Sequence, residues 1–160
     1  MDKNRKKLLR DVARLAALVL VILAARSSLA DHYHVPSGSM LPTIELGDHI
    51  LVNKLAYGFR VPFSNWYLVE SAGPQRGDVV VFESPENGEV LIKRVIGCPG
   101  DTVTIRGRRV LVPENKYYML GDNRGNSYDS RFFGLVDRSA ILGRALGVFL
   151  GREGFAWKPL

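Results

Sequence analysis

The chain has 160 residues, 46% of them hydrophobic and 9% aromatic, which is enough apolar material for one globular core plus an appendage and excludes a disordered chain. Its net charge of +6 sits at one end: residues 1–30 hold seven Lys or Arg against Asp2 and Asp11, whereas residues 31–160 balance 15 basic against 14 acidic groups. The near-neutral body lacks Lys or Arg interleaved with aromatics, which argues against a nucleic-acid partner, and the single cysteine, Cys98, excludes an intrachain disulfide or a thiolate metal cluster.

The first segment runs basic from Lys3 to Arg14 and then carries eleven uncharged residues, Leu15 to Ala25. As a helix those eleven span only about 16 Å of the roughly 30 Å hydrocarbon layer. Val12 and Ala13 lengthen the stretch, and Arg14 and Arg26 flank it where long cations snorkel, so residues 1–30 read as a basic cytoplasmic tail and an N-terminal transmembrane anchor helix. The excess of Lys and Arg before the apolar stretch keeps the N-terminus cytoplasmic and exports the chain beyond Arg26, giving a single-pass protein of the inner (plasma) membrane with its main domain on the outer or periplasmic side. A cleaved signal peptide ending at Ser28-Leu29-Ala30 is the rival reading, and it exports the same residues 31–160.

From Asp31 onward short β-branched and apolar runs alternate with Gly, Pro, Asn and Asp. Strands are predicted at His32–Val35, His49–Asn53, Asp78–Phe82, Val90–Ile96, Thr102–Ile105, Arg109–Val112, Tyr117–Leu120 and, more loosely, Ala140–Phe149. Residues 102–112 read as a hairpin turning at Gly107. Eight strands in about 120 residues predict an all-β fold for residues 31–160, a small closed or folded-over β-barrel that hides its strand edges. The longest segment without strand character, Tyr57 to Gln75, carries Phe59, Phe63, Trp66 and Tyr67, which suit either a membrane interface or a cap on the barrel. Arg76-Gly77-Asp78 spells an adhesion tripeptide, but Gly77 before a Val run reads as a turn into a strand.

Three polar clusters carry candidate chemistry. In Pro36-Ser37-Gly38-Ser39-Met40-Leu41-Pro42-Thr43 the prolines argue against a helix or a simple central strand and Gly38 permits a tight loop, so the stretch is either an ordinary connection or a device presenting Ser39 as a nucleophile. A serine needs a base. His32, His34 and His49 are the only histidines; the surroundings of Ser39 are not a Gly-x-Ser-x-Gly elbow, and no third ligand at a recognisable spacing joins His32 and His34, so no metal site is expected. Among the lysines outside the tail, Lys93 alone lies in a strongly apolar run, with Leu91 and Val95 on its strand face. That setting is either a snorkelling lysine or one desolvated enough to act as a base. The third cluster, Gly121 to Arg131, is rich in turn formers; Asp122 or Asp129 is placed to pair with Arg124 or Arg131, and Ser127 or Ser130 to orient the lysine.

Taken together, Pro36–Thr43 with Gly47-Asp48, Arg76–Phe82, Lys93–Gly97 with Pro99-Gly100-Asp101, Gly121–Arg124 with Asn126-Ser127 and Asp129–Arg131, and Gly143-Arg144-Ala145 resemble, in order, the boxes of the type I signal peptidases. The resemblance covers most of residues 35–145. It implies a membrane-bound serine endopeptidase that removes signal peptides through an acyl-enzyme, with Ser39 as nucleophile and Lys93 as general base. It further implies Ser37 and the Ser39 N–H as oxyanion hole, Ser127 as the lysine-orienting residue, and Asp129 and Arg131 as a bracing ion pair. Val35, Pro36, Leu91 and Ile92 would line the substrate pocket, no metal or cofactor would be needed, and the partners would be the lipid bilayer and preproteins with small residues at the first and third positions before the cut. No obligatory protein partner is evident. Larger family members insert a second β domain after the lysine box, where this chain has only the residue 102–112 hairpin and a short link, a minimal one-domain form. A dedicated maturation peptidase, for example in conjugative pilus processing, and an inactive tethered β-barrel adaptor are the alternatives.

Overall fold

The computed structural model describes residues 3–60, 67–151 and 154–160. Helix α1 spans Lys3–Leu29, built from Ala, Leu, Lys and Arg, all strong helix formers. Leu15, Leu18, Leu20 and Ile22 are each more than half exposed, so these side chains are not buried against the body. Among the described residues no helix is long and apolar enough to cross a membrane. The transmembrane helix expected over residues 1–30 is therefore not met in that strict sense. The helix forms, but its charge-free core is only eleven residues, bounded by Arg14 and Arg26.

The chain passes from α1 straight into strand β1 (Ala30–His34), followed by β2 (His49–Asn53), β3 (Gly58–Arg60), β4 (Tyr67–Glu70), β5 (Val79–Glu83), β6 (Val90–Gly97), β7 (Thr102–Ile105), β8 (Arg108–Leu111), β9 (Lys116–Leu120), helix α2 (Ser130–Phe133), β10 (Val136–Asp137), β11 (Ile141–Gly151) and β12 (Gly154–Pro159). Eight strands form one antiparallel sheet in the order β1-β2-β11-β5-β6-β9-β10, with β12 beside the far half of β11. The sheet curls into a half-barrel and does not close, since β1 and β10 remain its two ends; of the two expected shapes the folded-over one is found. Curvature is concentrated in β11, which pairs with β5 through Ile141–Arg144 and with β2 through Arg144–Leu150, with register shifts in both ladders. Such bulges sharpen local twist and let one long strand serve two parts of a bent sheet.

Strand β5 explains the apolar run Val79-Val80-Val81-Phe82. Val79 and Val81 enter a cluster with Val35, Met40, Ile44, Ile50 and Ile92, while Val80 and Phe82 point the other way into a cluster with Val95, Met119 and Ile141. A strand covered on both faces has no polar side to alternate; fully burying Phe82 alone contributes about 2–3 kcal/mol. Asp78, just before this strand, accepts from the Tyr57 hydroxyl at 2.9 Å and the Gln75 N–H at 3.0 Å and lies 3.3 Å from Arg144, and Arg76 pairs with Asp101 at 3.0 Å. The adhesion-like tripeptide is thus a structural turn. The predicted hairpin turns at Arg106-Gly107, both with positive φ (48° and 76°), as a two-residue loop between twisted strands requires.

The segment from Tyr57 to Gln75 is not wholly without strand: β3 and β4 pair within it, and Phe59 is part-exposed. Phe63, Trp66 and the Tyr67 side chain lie outside the described residues.

Candidate active site

The Pro36–Thr43 loop is tied down by backbone hydrogen bonds. The Val35 N–H donates to the Asp48 carbonyl at 2.8 Å and the Gly47 N–H to the Val35 carbonyl at 2.9 Å, and Gly38–Met40 makes one tight helical turn with Ser39 and Met40 buried. From the third cluster, Asn123 reaches across: its N–H donates to the Ser39 carbonyl and its side-chain amide to the Gly38 carbonyl, both at 3.0 Å. Thr43 Oγ1 donates to Asp122 at 2.6 Å, and Asp122 receives a two-pronged pair from Arg94 at 2.9 and 2.7 Å. Bidentate geometry of this kind fixes orientation as well as charge.

Lys93 comes from the middle of β6, opposite Val80 in the ladder. It is 3% exposed, and its Nζ donates to Ser39 Oγ at 2.8 Å and to the Ile92 carbonyl at 2.9 Å. Burial pushes the ammonium down from 10.5 to about 8, with the Asp129 charge acting in the opposite direction. Loss of hydration disfavours the charged form of an amine, which makes this lysine available as a neutral base near physiological pH. Ser37, exposed at the start of the same turn, holds its Oγ 3.4 Å from Ser39 Oγ.

Ser127 is buried, and its Oγ makes no hydrogen bond of ordinary geometry, although its hydroxyl is near enough to help stabilise the Asp129 carboxylate. Gly121 lies between it and Ser39: a Cβ there would overlap Ser127 Oγ and sit 2.5 Å from the Ser39 carbonyl oxygen. Only a glycine permits this approach. Asp129 is wholly buried and caps α2; it accepts from Arg131 Nε at 2.8 Å, Arg131 Nη2 at 3.0 Å and the Gly121 N–H at 3.1 Å. Burial alone would raise its pKa, but these donors, led by Arg131, outweigh burial and hold it below the ordinary carboxylate value. Ser130, the other hydroxyl considered, accepts from the Met119 N–H at 3.0 Å and stabilises β9.

Beside the Ser39–Lys93 contact lies a cavity of about 180 Å³ whose walls include Val35, Pro36, Ser37, Leu91, Ile92 and Lys93, with Ile50 and Val81 also contributing. All four pocket residues named from the sequence line it. The first half of β6 pairs only with β5, because β9 joins the ladder at Arg94, so the backbone of Val90–Lys93 is open on the cavity side. His32 and His49 pack against Phe149 and His34 against His49, so although His34 borders the cavity by its place in β1, the three rings gather on the other face of the sheet. Among the described residues no three His, Cys, Asp or Glu side chains form a metal-ligand set.

The residues missed from the sequence are Asn123, Gly121 and Arg94. Asp122 pairs with Arg94, not with Arg124 or Arg131, because alternation along β6 sends Arg94 to the opposite face from Lys93. The adjacent Lys93-Arg94 pair was the available signal: one strand carrying a buried cation must turn the next outward toward a carboxylate.

The family model described as signal peptidase, peptidase S26, matches residues 8–112 and 107–150. A signal peptidase I of Leptolyngbya laminosa is 35% identical, over 90% of this chain and 80% of its own length. One from Pseudomonas aeruginosa is 32% identical, over 83% and 69%. The crystal structure of a signal peptidase I from Enterococcus faecalis V583 has 32% sequence identity and a TM-score of 0.40, covering 46% of this chain and 97% of that one. With a hydroxyl, a buried amine and an apolar cavity brought together by segments that the family model spans, the chain belongs to the peptidase S26 family of signal peptidases.

Proposed function

We propose that the chain removes signal peptides from exported preproteins, using Ser39 and Lys93 as a catalytic dyad. The observation that carries this reading is the 2.8 Å contact between Lys93 Nζ and Ser39 Oγ in a setting that lowers the lysine to about 8. The substrate lies extended along the open backbone edge of Val90–Lys93 and adds a strand, placing small side chains in the cavity lined by Val35, Pro36, Leu91 and Ile92.

Neutral Lys93 takes the Ser39 proton as Oγ bonds to the scissile carbonyl carbon, and the Ser39 N–H with the Ser37 hydroxyl receives the developing oxyanion. Lys93 then gives its proton to the leaving amine as the C–N bond breaks. Water, deprotonated by Lys93, attacks the acyl ester and regenerates Ser39. Ser127, buried beside Gly121 with its Oγ not yet hydrogen-bonded, is the hydroxyl available to orient Lys93, while Asp129 with Arg131 braces the loop that carries it. No step needs a metal or cofactor.

The basic first half of α1 and its apolar Leu15–Ala25 segment support attachment to an anionic bilayer, with the N-terminus cytoplasmic and the sheet on the outer side. Cleavage of a preprotein in detergent tests the dyad. Ser39→Ala and Lys93→Ala should abolish turnover while a variant lacking all three histidines retains it; an active Lys93→Ala variant would refute the assignment.

A further inference from the structure

We propose that His34 and His49 form a two-imidazole site for a divalent transition-metal ion such as Zn²⁺, on the face of the β1–β2 ladder that carries Phe149. The two residues are direct partners in the β1–β2 ladder, so their side chains leave the same face of the sheet as close neighbours. Their ring centroids are 5.1 Å apart and the rings are tilted by 59°. With metal–nitrogen bonds of about 2.0–2.1 Å and about 1.2 Å more from nitrogen to ring centre, that separation subtends roughly 105° at a shared ion. This is close to the tetrahedral angle that zinc adopts.

The neighbourhood favours imidazole ligation over any other. His49 is packed against the Phe149 ring at 6.1 Å, which limits how far its imidazole can swing. His32 lies on the other side of Phe149, at 6.5 Å, and is not part of the pair. Asp31, the nearest carboxylate in sequence, is already engaged by Lys54 at 3.0 Å and by the His32 N–H at 2.9 Å. A site of two imidazoles completed by water suits zinc, copper or nickel and not magnesium or calcium. His34 borders the cavity by its place in β1, but alternation turns its ring and that of His49 to the face opposite Tyr33 and Ile50, so an ion on the pair stays clear of the reacting groups.

The test uses the untagged full chain in detergent micelles, stripped with a chelator and titrated calorimetrically with ZnCl₂. One ion per chain is expected. His34→Gln and His49→Gln should each weaken binding roughly tenfold or more, while His32→Gln changes it by less than about twofold. No saturable binding, or wild-type affinity in His49→Gln, would overturn the site.

Discussion

Replacing Lys93 by Met separates the energetic cost of the buried amine from its chemistry. Met has similar length and no charge, so the cavity stays filled. Lys93 titrates at about 8 in the folded protein against 10.5 unfolded; at about 1.4 kcal/mol per tenfold change, the folded state is destabilised by about 3 kcal/mol wherever both forms are protonated. Below pH 8 that penalty is fully present. Between pH 8 and 10.5 the unfolded chain binds more protons than the folded one, so stability rises with pH, and above 10.5 the penalty is gone. Met escapes the penalty but loses the hydrogen bonds to Ser39 Oγ and the Ile92 carbonyl, together about 1–2 kcal/mol. Lys93→Met should therefore be more stable than the wild type by about 1–2 kcal/mol at pH 6–7, a rise of a few °C in Tm, and less stable above pH 10.5. Thermal unfolding of both proteins in the same detergent across this range, read as the difference between them, measures it. A difference that does not vary with pH would refute the claim that Lys93 is buried with a lowered pKa.

The same lowered pKa should appear in catalysis: kcat/KM rises with pH and levels off above about 8, as expected when one essential base must be neutral. If Ser37 is the oxyanion donor proposed above, Ser37→Ala should lower kcat roughly a hundredfold or more, with Ser37→Thr restoring part of it, in single-turnover cleavage. Gly121→Ala places a Cβ against Ser127 and the Ser39 carbonyl and should cost about 1–3 kcal/mol of stability together with most of the activity. Asn123→Ala removes the side-chain bond to the Gly38 carbonyl but keeps the backbone bond to Ser39; kcat should fall roughly tenfold or more with KM little changed, since a small displacement of a nucleophile is expensive.

Much of the sheet was legible because its strands obey local rules. His49–Asn53 and Thr102–Ile105 have the predicted bounds, and the Arg106-Gly107 turn was marked by its glycine. Strand β12 was not visible: Phe155 and Trp157 on it are 85% and 57% exposed, so no burial pattern distinguishes Gly154–Pro159 from an irregular tail. Strands β3 and β4 hold three and four residues, too few for a period. Whether the sheet closes depends on the bulges of β11, which arise because two strands on one side and one on the other compete for its edges. The polar clusters could be read as chemistry-bearing, but Asn123 and Gly38 are 85 residues apart and only the folded chain brings them together.

The arrangement of charge around Lys93 explains how an amine can serve as a base here. A lysine near a carboxylate would ordinarily be held protonated, and Asp129 does pull it that way. Asp129 is instead occupied by Arg131 and the Gly121 N–H, so its field at Lys93 is partly cancelled by a cation closer to it, and desolvation is left as the dominant influence. Arg131 therefore does more than stiffen the loop: by engaging the acid it favours loss of the proton from a buried lysine near pH 8. Asp122, held by Arg94 and Thr43 on the other strand face, and Asn123, bonded to the Gly38 and Ser39 carbonyls, fix the loop whose Ser39 lies 2.8 Å from that amine.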